Sequence, residues 1–251
     1  MAPLTRRNLL MTSGVALGTV GGSLWPAQAE ERPGPKPKVI VAGGHPGDPE
    51  TACGGTMARL ADLGHEIVAF YVTRGEAGIK GKTHTEAGAI RTEEAKRACE
   101  LLKARAVFAG QIDGSSQVAP ARYDEFRELL EAEKPRMVFT HWPIDTHRDH
   151  RATSLLVYDA WLSGGRKFAL YYYEVATGEE TQLFQPTHYV DITKTEDRKR
   201  AACFAHASQN PASFYAYHQE MHRFRGHEAG CKQAEAFVHH NQSPAEPLPG
   251  S

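Results

Sequence analysis

The chain has 251 residues, 29 Lys and Arg against 30 Asp and Glu, and a formal net charge of −1. That length suits one α/β domain able to bury a core. The charge balance argues against a nucleic-acid stripe and against an acidic solvating tail. Four cysteines, Cys53, Cys99, Cys203 and Cys231, stand far apart without a C-x-x-C pair. This spacing speaks against a zinc–thiolate cluster or a dense disulfide framework, with burial expected and a single disulfide left open. Thirteen histidines direct the search toward metal or acid/base chemistry.

The N-terminus carries Arg6-Arg7, a short Gly/Ala-rich apolar run and Ala27-Gln28-Ala29 before an acidic pair. Residues 1–29 are therefore expected to be a signal peptide of the twin-arginine type. The expectation is a periplasmic or secreted protein with no stable membrane insertion after cleavage. Residues 30–37 form a proline-rich linker. The domain is expected over 38–240, and 241–251, "NQSPAEPLPGS", as a disordered tail.

From residue 38 strands and helices alternate. "KVIVAGG" reads as a buried strand and "ETACGGTMARLADLG" as a helix closed by Gly64. "HEIVAFYVT" follows as a strand, then a helix over 86–104 with Ile90, Ala95, Ala98, Leu101 and Leu102 on one face. A strand at 105–110, a helix at 122–134, a strand at 135–142 and a helix from 150 complete the repeat. Strands separated by such helices predict a Rossmann-like, doubly wound, mostly parallel sheet with the order 3-2-1-4-5 at its centre. The last third predicts an irregular C-terminal α/β extension. It has strands at 167–175 and 188–193, helices at 194–209 and 214–230, and a final strand or coil at 234–240.

In this order strands 1 and 4 are neighbours, and ligands bind where their connections diverge. Strand 1 ends in "GGHPGDPE", with His45 and Asp48; strand 4 ends in "HWPIDTHRDH", with His141, Asp145, His147, Asp149 and His150. His45 and Asp48 are three apart around a turn, so both can face one ion. His150 opens the following helix, and His147 points into the same cavity without necessarily ligating. Two histidines and a carboxylate make a three-ligand site with an open position, the catalytic form of zinc coordination. One zinc ion per chain is expected, with iron, manganese and cobalt permitted by the same donors. Asp149 is placed to accept from an imidazole and set its tautomer.

These segments, with "CGGTMARLADLGHEIVAFYVTRGEAG", "RTEEA", "IDG", "VDITKTEDRKRAACFAHASQ" and "FRGHEAGCKQAEAF", resemble the LmbE/PIG-L family of zinc-dependent N-deacetylases, in order from about residue 38 to 238. The resemblance implies zinc ligands His45, Asp48 and His150. It implies His147, held by Asp149, as the group that stabilises the tetrahedral intermediate or protonates the amine. It implies Arg91 as a substrate contact, supported by Glu94. The implied reaction removes an N-acetyl group from an amino sugar or glycan, a small-molecule partner, and a homo-oligomer is compatible with it.

The family element is usually H-P-D-D, whose first aspartate serves as general base; here Gly47 stands in its place. His147 is the leading replacement, with Glu50, Glu76 and Asp145 as further carboxylates in reach. A catalytically weak or inactive sugar-binding relative, or a metal-dependent amidase on a non-sugar amide, is the alternative. Arg74 and Glu76 on the loop after strand 2 read equally as substrate contact or structural ion pair. Tyr171, Tyr172 and Tyr173 read as core. His206 reads as a helix contact to the core, and His239-His240 carry no assigned role. Gly54-Gly55 lacks the dinucleotide spacing.

Overall fold

The structure, a computed structural model, describes residues 36–250. The signal-peptide segment and most of the proline-rich linker lie outside the described residues. Thirteen main elements follow in order: β1 (Lys38–Gly43), α1 (Asp48–Asp62), β2 (Glu66–Tyr71), α2 (His84–Leu102), β3 (Ala104–Phe108), α3 (Pro120–Glu133), β4 (Met137–His141), α4 (Arg148–Ser163), β5 (Ala169–Tyr173), β6 (His188–Asp191), α5 (Glu196–Phe204), α6 (Tyr215–Ala229) and β7 (Ala234–His239).

The sheet order is β3-β2-β1-β4-β5-β7-β6. The first five strands are parallel; β7 runs antiparallel to β5 and β6. The expected 3-2-1-4-5 centre is present, and the C-terminal extension adds two strands at one edge. Both faces of the sheet are covered, so its central strands are apolar at nearly every position. Val39, Val41, Phe139 and Tyr173 pack with Met57, Leu60, Ala98 and Ala202 on one face. Ile40, Val68, Phe70 and Leu170 pack with Phe126, Leu130, Leu156 and Trp161 on the other. The Tyr171–Tyr173 run is buried, as expected. The four cysteines are free thiols.

Three local expectations change. On α2 the buried stripe runs through Ala87, Ala95, Ala98 and Leu102, while Ile90 and Leu101 are exposed. Alanines let this helix lie close to its neighbours, which a count of large apolar residues misses. The helix expected over 194–209 stops at Phe204 and gives way to a short 3₁₀ turn at Ala207–Gln209. There Glu94 on α2 accepts from both the main-chain N–H and the hydroxyl of Ser208, each at 2.7 Å. Residues 241–250 are not a loose tail. Leu248 is buried in the core, Tyr171 donates to the Glu246 carbonyl at 2.8 Å, and Arg136 pairs with the Glu246 carboxylate at 2.7 Å. One leucine anchor has no periodicity to betray it. Among the described residues no helix is long and apolar enough to cross a membrane.

Candidate active site

The site is built at the carboxyl ends of β1 and β4. A Cβ on Gly43 would lie 2.6 Å from Pro49 Cδ, so glycine there lets the first turn of α1 fold back over the strand end. Gly47, just before α1, has φ +110° and ψ −33° and donates its N–H to Glu50 Oε2 at 3.0 Å. The segment after β4 returns at His147, the cap of α4, whose first turn carries Asp149 and His150. Asp48 and Asp149 thus sit in the first turns of two helices that converge on one point, where unpaired N–H groups favour negative charge.

His45 Nδ1, His141 Nε2 and His150 Nε2 lie 3.2, 3.2 and 3.3 Å from Asp48 Oδ2. The far nitrogen of His45 is 3.1 Å from Asp149 Oδ2 and 3.1 Å from Asp113 Oδ1. That of His150 is 3.2 Å from Asp145 Oδ1. In each ring the carboxylates claim the proton on the far nitrogen, which turns the near lone pair toward Asp48. Two lone pairs and a carboxylate then meet with no proton between them. A divalent cation satisfies that arrangement, so His45, Asp48 and His150 fit the metal they were expected to hold. His141 differs, because its Nε2 accepts from the Gly44 N–H at 3.0 Å and its ring stacks on His150 at 3.9 Å. It steadies the ligand rather than offering a free lone pair.

The electrostatics agree with a site that waits for a positive charge. Burial opposes protonation of His45 and His150, yet the surrounding carboxylates outweigh it. Asp48, with Asp113 and Asp149, holds His45 well above the ordinary imidazole range. Asp48 and Asp145 raise His150 to about 9. Burial would raise the Asp48 carboxyl, but His150 and His45 keep it well below the usual range.

Other expected residues stand differently. Asp149 does not hold His147 through its carboxylate. That carboxylate accepts from the Gly114 and Ser116 amides at 2.6 and 3.2 Å and faces His45. His147 is linked to Asp149 only by the main-chain N–H, which donates to Nδ1 at 3.3 Å. The neutral His147 ring therefore carries its proton on Nε2. Burial, then the charge of His45, lowers its pKa. It is a donor by construction and poorly placed as the proton acceptor.

The reserve carboxylates are all committed. Glu50 is fully buried and accepts from Tyr71 Oη at 2.5 Å as well as from Gly47. Glu76 accepts from the Arg74 amide at 3.1 Å and lies away from the cavity lining. Asp145 holds His150 and accepts from Thr181 at 3.0 Å. Arg74 is also misplaced as a substrate contact: it is exposed, lies over the Phe108 ring and donates to Thr92 at 2.9 Å. Arg91 does line the cavity, but its guanidinium clamps the turn by donating to the Pro46 and Gly75 carbonyls. Glu94 does not pair with it and instead anchors the 206–209 turn.

The cavity over this cluster is about 810 Å³, and Asp113, Glu180, His206, Tyr217 and His218 line it beside the expected residues. None of the five was assigned to the site from sequence. Asp113 was readable in principle, since "IDG" follows β3 on the side where every βα loop ends. His206, Tyr217 and His218 come from the irregular extension, whose path no periodicity announces.

A doubly wound sheet with a His₂Asp cluster able to hold a metal at its switch point, roofed by a large polar cavity, is the architecture of a hydrolase of the N-deacetylase class. Residues 40–161 match the family PIG-L, GlcNAc-PI de-N-acetylase. The chain belongs to this PIG-L (LmbE) family. It is 26% identical over 221 residues to the diacetylchitobiose deacetylase of Thermococcus kodakarensis, covering 80% of this chain and 82% of that protein. The crystal structure of a conserved protein from Thermus thermophilus is 30% identical, with a TM-score of 0.71, covering 85% of this chain and 98% of that one. GalB, the 4-carboxy-2-hydroxymuconate hydratase of Pseudomonas putida, shares the fold at 22% identity and a TM-score of 0.74, over 85% of this chain and all of that one.

Proposed function

We propose that the chain is an exported zinc N-deacetylase that removes the acetyl group from an amino sugar or glycan. The observation that carries this reading is the pair of imidazoles whose far nitrogens are held by Asp113, Asp149 and Asp145 while their near lone pairs face Asp48. Zinc suits this all nitrogen-and-oxygen donor set, and the likeness to a diacetylchitobiose deacetylase supports the substrate class. When bound, the ion supplies Lewis-acid polarisation of the amide carbonyl and lowers the pKa of water to about 7.

The chain's own residues do the rest. His147, with its proton on Nε2, hydrogen-bonds the oxyanion that develops on the carbonyl oxygen. Asp149 fixes His45 and, through its backbone, the His147 tautomer. Asp113 faces both His45 and the cavity, where a sugar hydroxyl can reach it. Export rests on the Arg6-Arg7 and Ala27-Gln28-Ala29 features. A fusion of residues 1–30 to a reporter that crosses only when folded tests that part.

The central test is metal content together with acetate release from N-acetylglucosamine, N,N′-diacetylchitobiose and a panel of N-acetyl amino acids. Stoichiometric zinc with release from the sugars supports the reading. Release from the amino acids alone replaces the sugar by a simpler amide. Zinc without any release identifies a binding relative, and no zinc removes the site.

A further inference from the structure

We propose that His206 is the proton acceptor for the attacking water, standing where an aspartate at position 47 would reach; this rests on the deacetylase reading above. A Cβ built on Gly47 meets a single heavy atom within 4 Å among the described residues, Cδ2 of His206, at 4.0 Å. A half-turn of the ring about its Cβ–Cγ bond puts Nδ1 at that spot, and the two settings are not distinguished by ring shape. The place a base would fill from residue 47 is thus bordered by the imidazole of another element.

Three further observations point the same way. His206 is 2% exposed and lines the cavity, yet neither ring nitrogen has a hydrogen-bond partner among the described residues. A buried imidazole left without partners is costly unless something in the site engages it. The half-turn leaves Cε1 at the corner where Nε2 otherwise stands 3.2 Å from Glu50 Oε1, so the carboxylate faces the C–H edge between the two nitrogens, which becomes electropositive when the ring takes up a proton. Glu50 is itself fixed by Tyr71 and by the Gly47 amide. Finally, the turn bearing His206 is pinned by Glu94 through Ser208, and Gln209 donates to the Gly78 carbonyl at 3.3 Å, both residues lining the cavity. His147 cannot serve equally, since its Nδ1 lone pair is taken by the Asp149 amide.

The step balances with one group. A proton of the attacking water passes to His206 as the water oxygen bonds the carbonyl carbon. The C–N bond then breaks, its electron pair stays on nitrogen, and the proton on His206 is returned to that nitrogen. The products are the amine and acetic acid, which ionises in solution. His147 donates to the oxyanion throughout and changes no protonation state.

The test uses the full-length zinc-loaded protein with N,N′-diacetylchitobiose, comparing native, His206→Asn and His206→Ala. General-base loss predicts retained zinc, a KM within a few-fold and a kcat lowered on the order of 10²–10⁴-fold. Added imidazole should restore part of the His206→Ala rate, which a merely structural histidine would not allow. A kcat within threefold of native overturns the proposal, as does a loss of rate and zinc together without imidazole rescue. If the native protein binds metal and releases no acetate, the deacetylase reading fails by itself. Cobalt-loaded native and His206→Asn proteins are then titrated by visible absorption. A shifted midpoint keeps His206 beside the ion's water, and an unchanged midpoint overturns the placement.

Discussion

At position 47 the backbone, more than the side chain, carries the departure from the H-P-D-D pattern. With φ at +110° the turn has a shape that L side chains rarely adopt, so putting aspartate back does not by itself restore a base. Gly47→Asp and Gly47→Ala should each lower the unfolding free energy by about 1–3 kcal/mol, read from urea melts, because the strain is the same for both. Neither should raise turnover. A neutral Gly47→Asp that speeds deacetylation would show instead that the turn adapts and that the glycine had suppressed activity. The residue types at the metal cluster were legible because His45, Asp48 and His150 flank strand ends, where their positions follow from chain order. Partners of His147 were not legible, since a main-chain N–H competes with the Asp149 carboxylate only in three dimensions.

Among the elements, α1 is gripped at its middle by a carboxylate from the far end of the chain. Glu235 on β7 accepts from the Gly55 and Thr56 amides at 2.8 and 2.7 Å, and Lys199 on α5 pairs with it at 2.5 Å, both side chains fully buried. Removing one partner strands the other charge. Lys199→Met should therefore cost about 3–5 kcal/mol in urea unfolding, and the double variant with Glu235→Gln should recover part of it. A Lys199→Met cost below about 1 kcal/mol would mean that water reaches the carboxylate.

On α6, burial and the charge of Lys199 lower the pKa of His218 to about 4. Its folded pKa lies below the unfolded value near 6.5, so the unfolded chain binds more protons between the two. Its contribution to stability is present above about 6.5 and lost as pH falls through about 4. Chemical denaturation from about pH 7.5 to about 4.5 should show this slope, flattened in His218→Asn. An unaltered slope would assign the acid sensitivity to other buried histidines, such as His222.

For the whole molecule, the binding of the proposed cation is tied to folding, because His45, Asp48 and His150 come together only when β1 and β4 are paired. Zinc that binds the native form alone should stabilise it by about 2.7 kcal/mol at a hundredfold excess over Kd. Thermal melts with and without chelator should show a shift in the native protein that vanishes in Asp48→Asn. An equal shift in Asp48→Asn would place the ion elsewhere. The C-terminal extension closes the same cavity from the other side. It supplies His206, Tyr217 and His218, while the last ten described residues lock onto Tyr171 and Arg136.

The alternation of strands and helices determined, by itself, a parallel sheet with β1 beside β4. It also placed the metal-ligand types of both strand ends at one crevice, because handed crossovers leave few other arrangements. Only tertiary structure decided which proton each imidazole holds, which carboxylates are committed to scaffolding, and that His206 faces the space left at Gly47. Those outcomes depend on contacts between residues far apart in the chain, such as His45 with Asp149 and Gly47 with His206. No local period in the chain encodes such contacts; the pairing of β1 with β4 brings His45 to Asp149, and the packing of the C-terminal extension against α1 and α2 brings His206 beside Gly47.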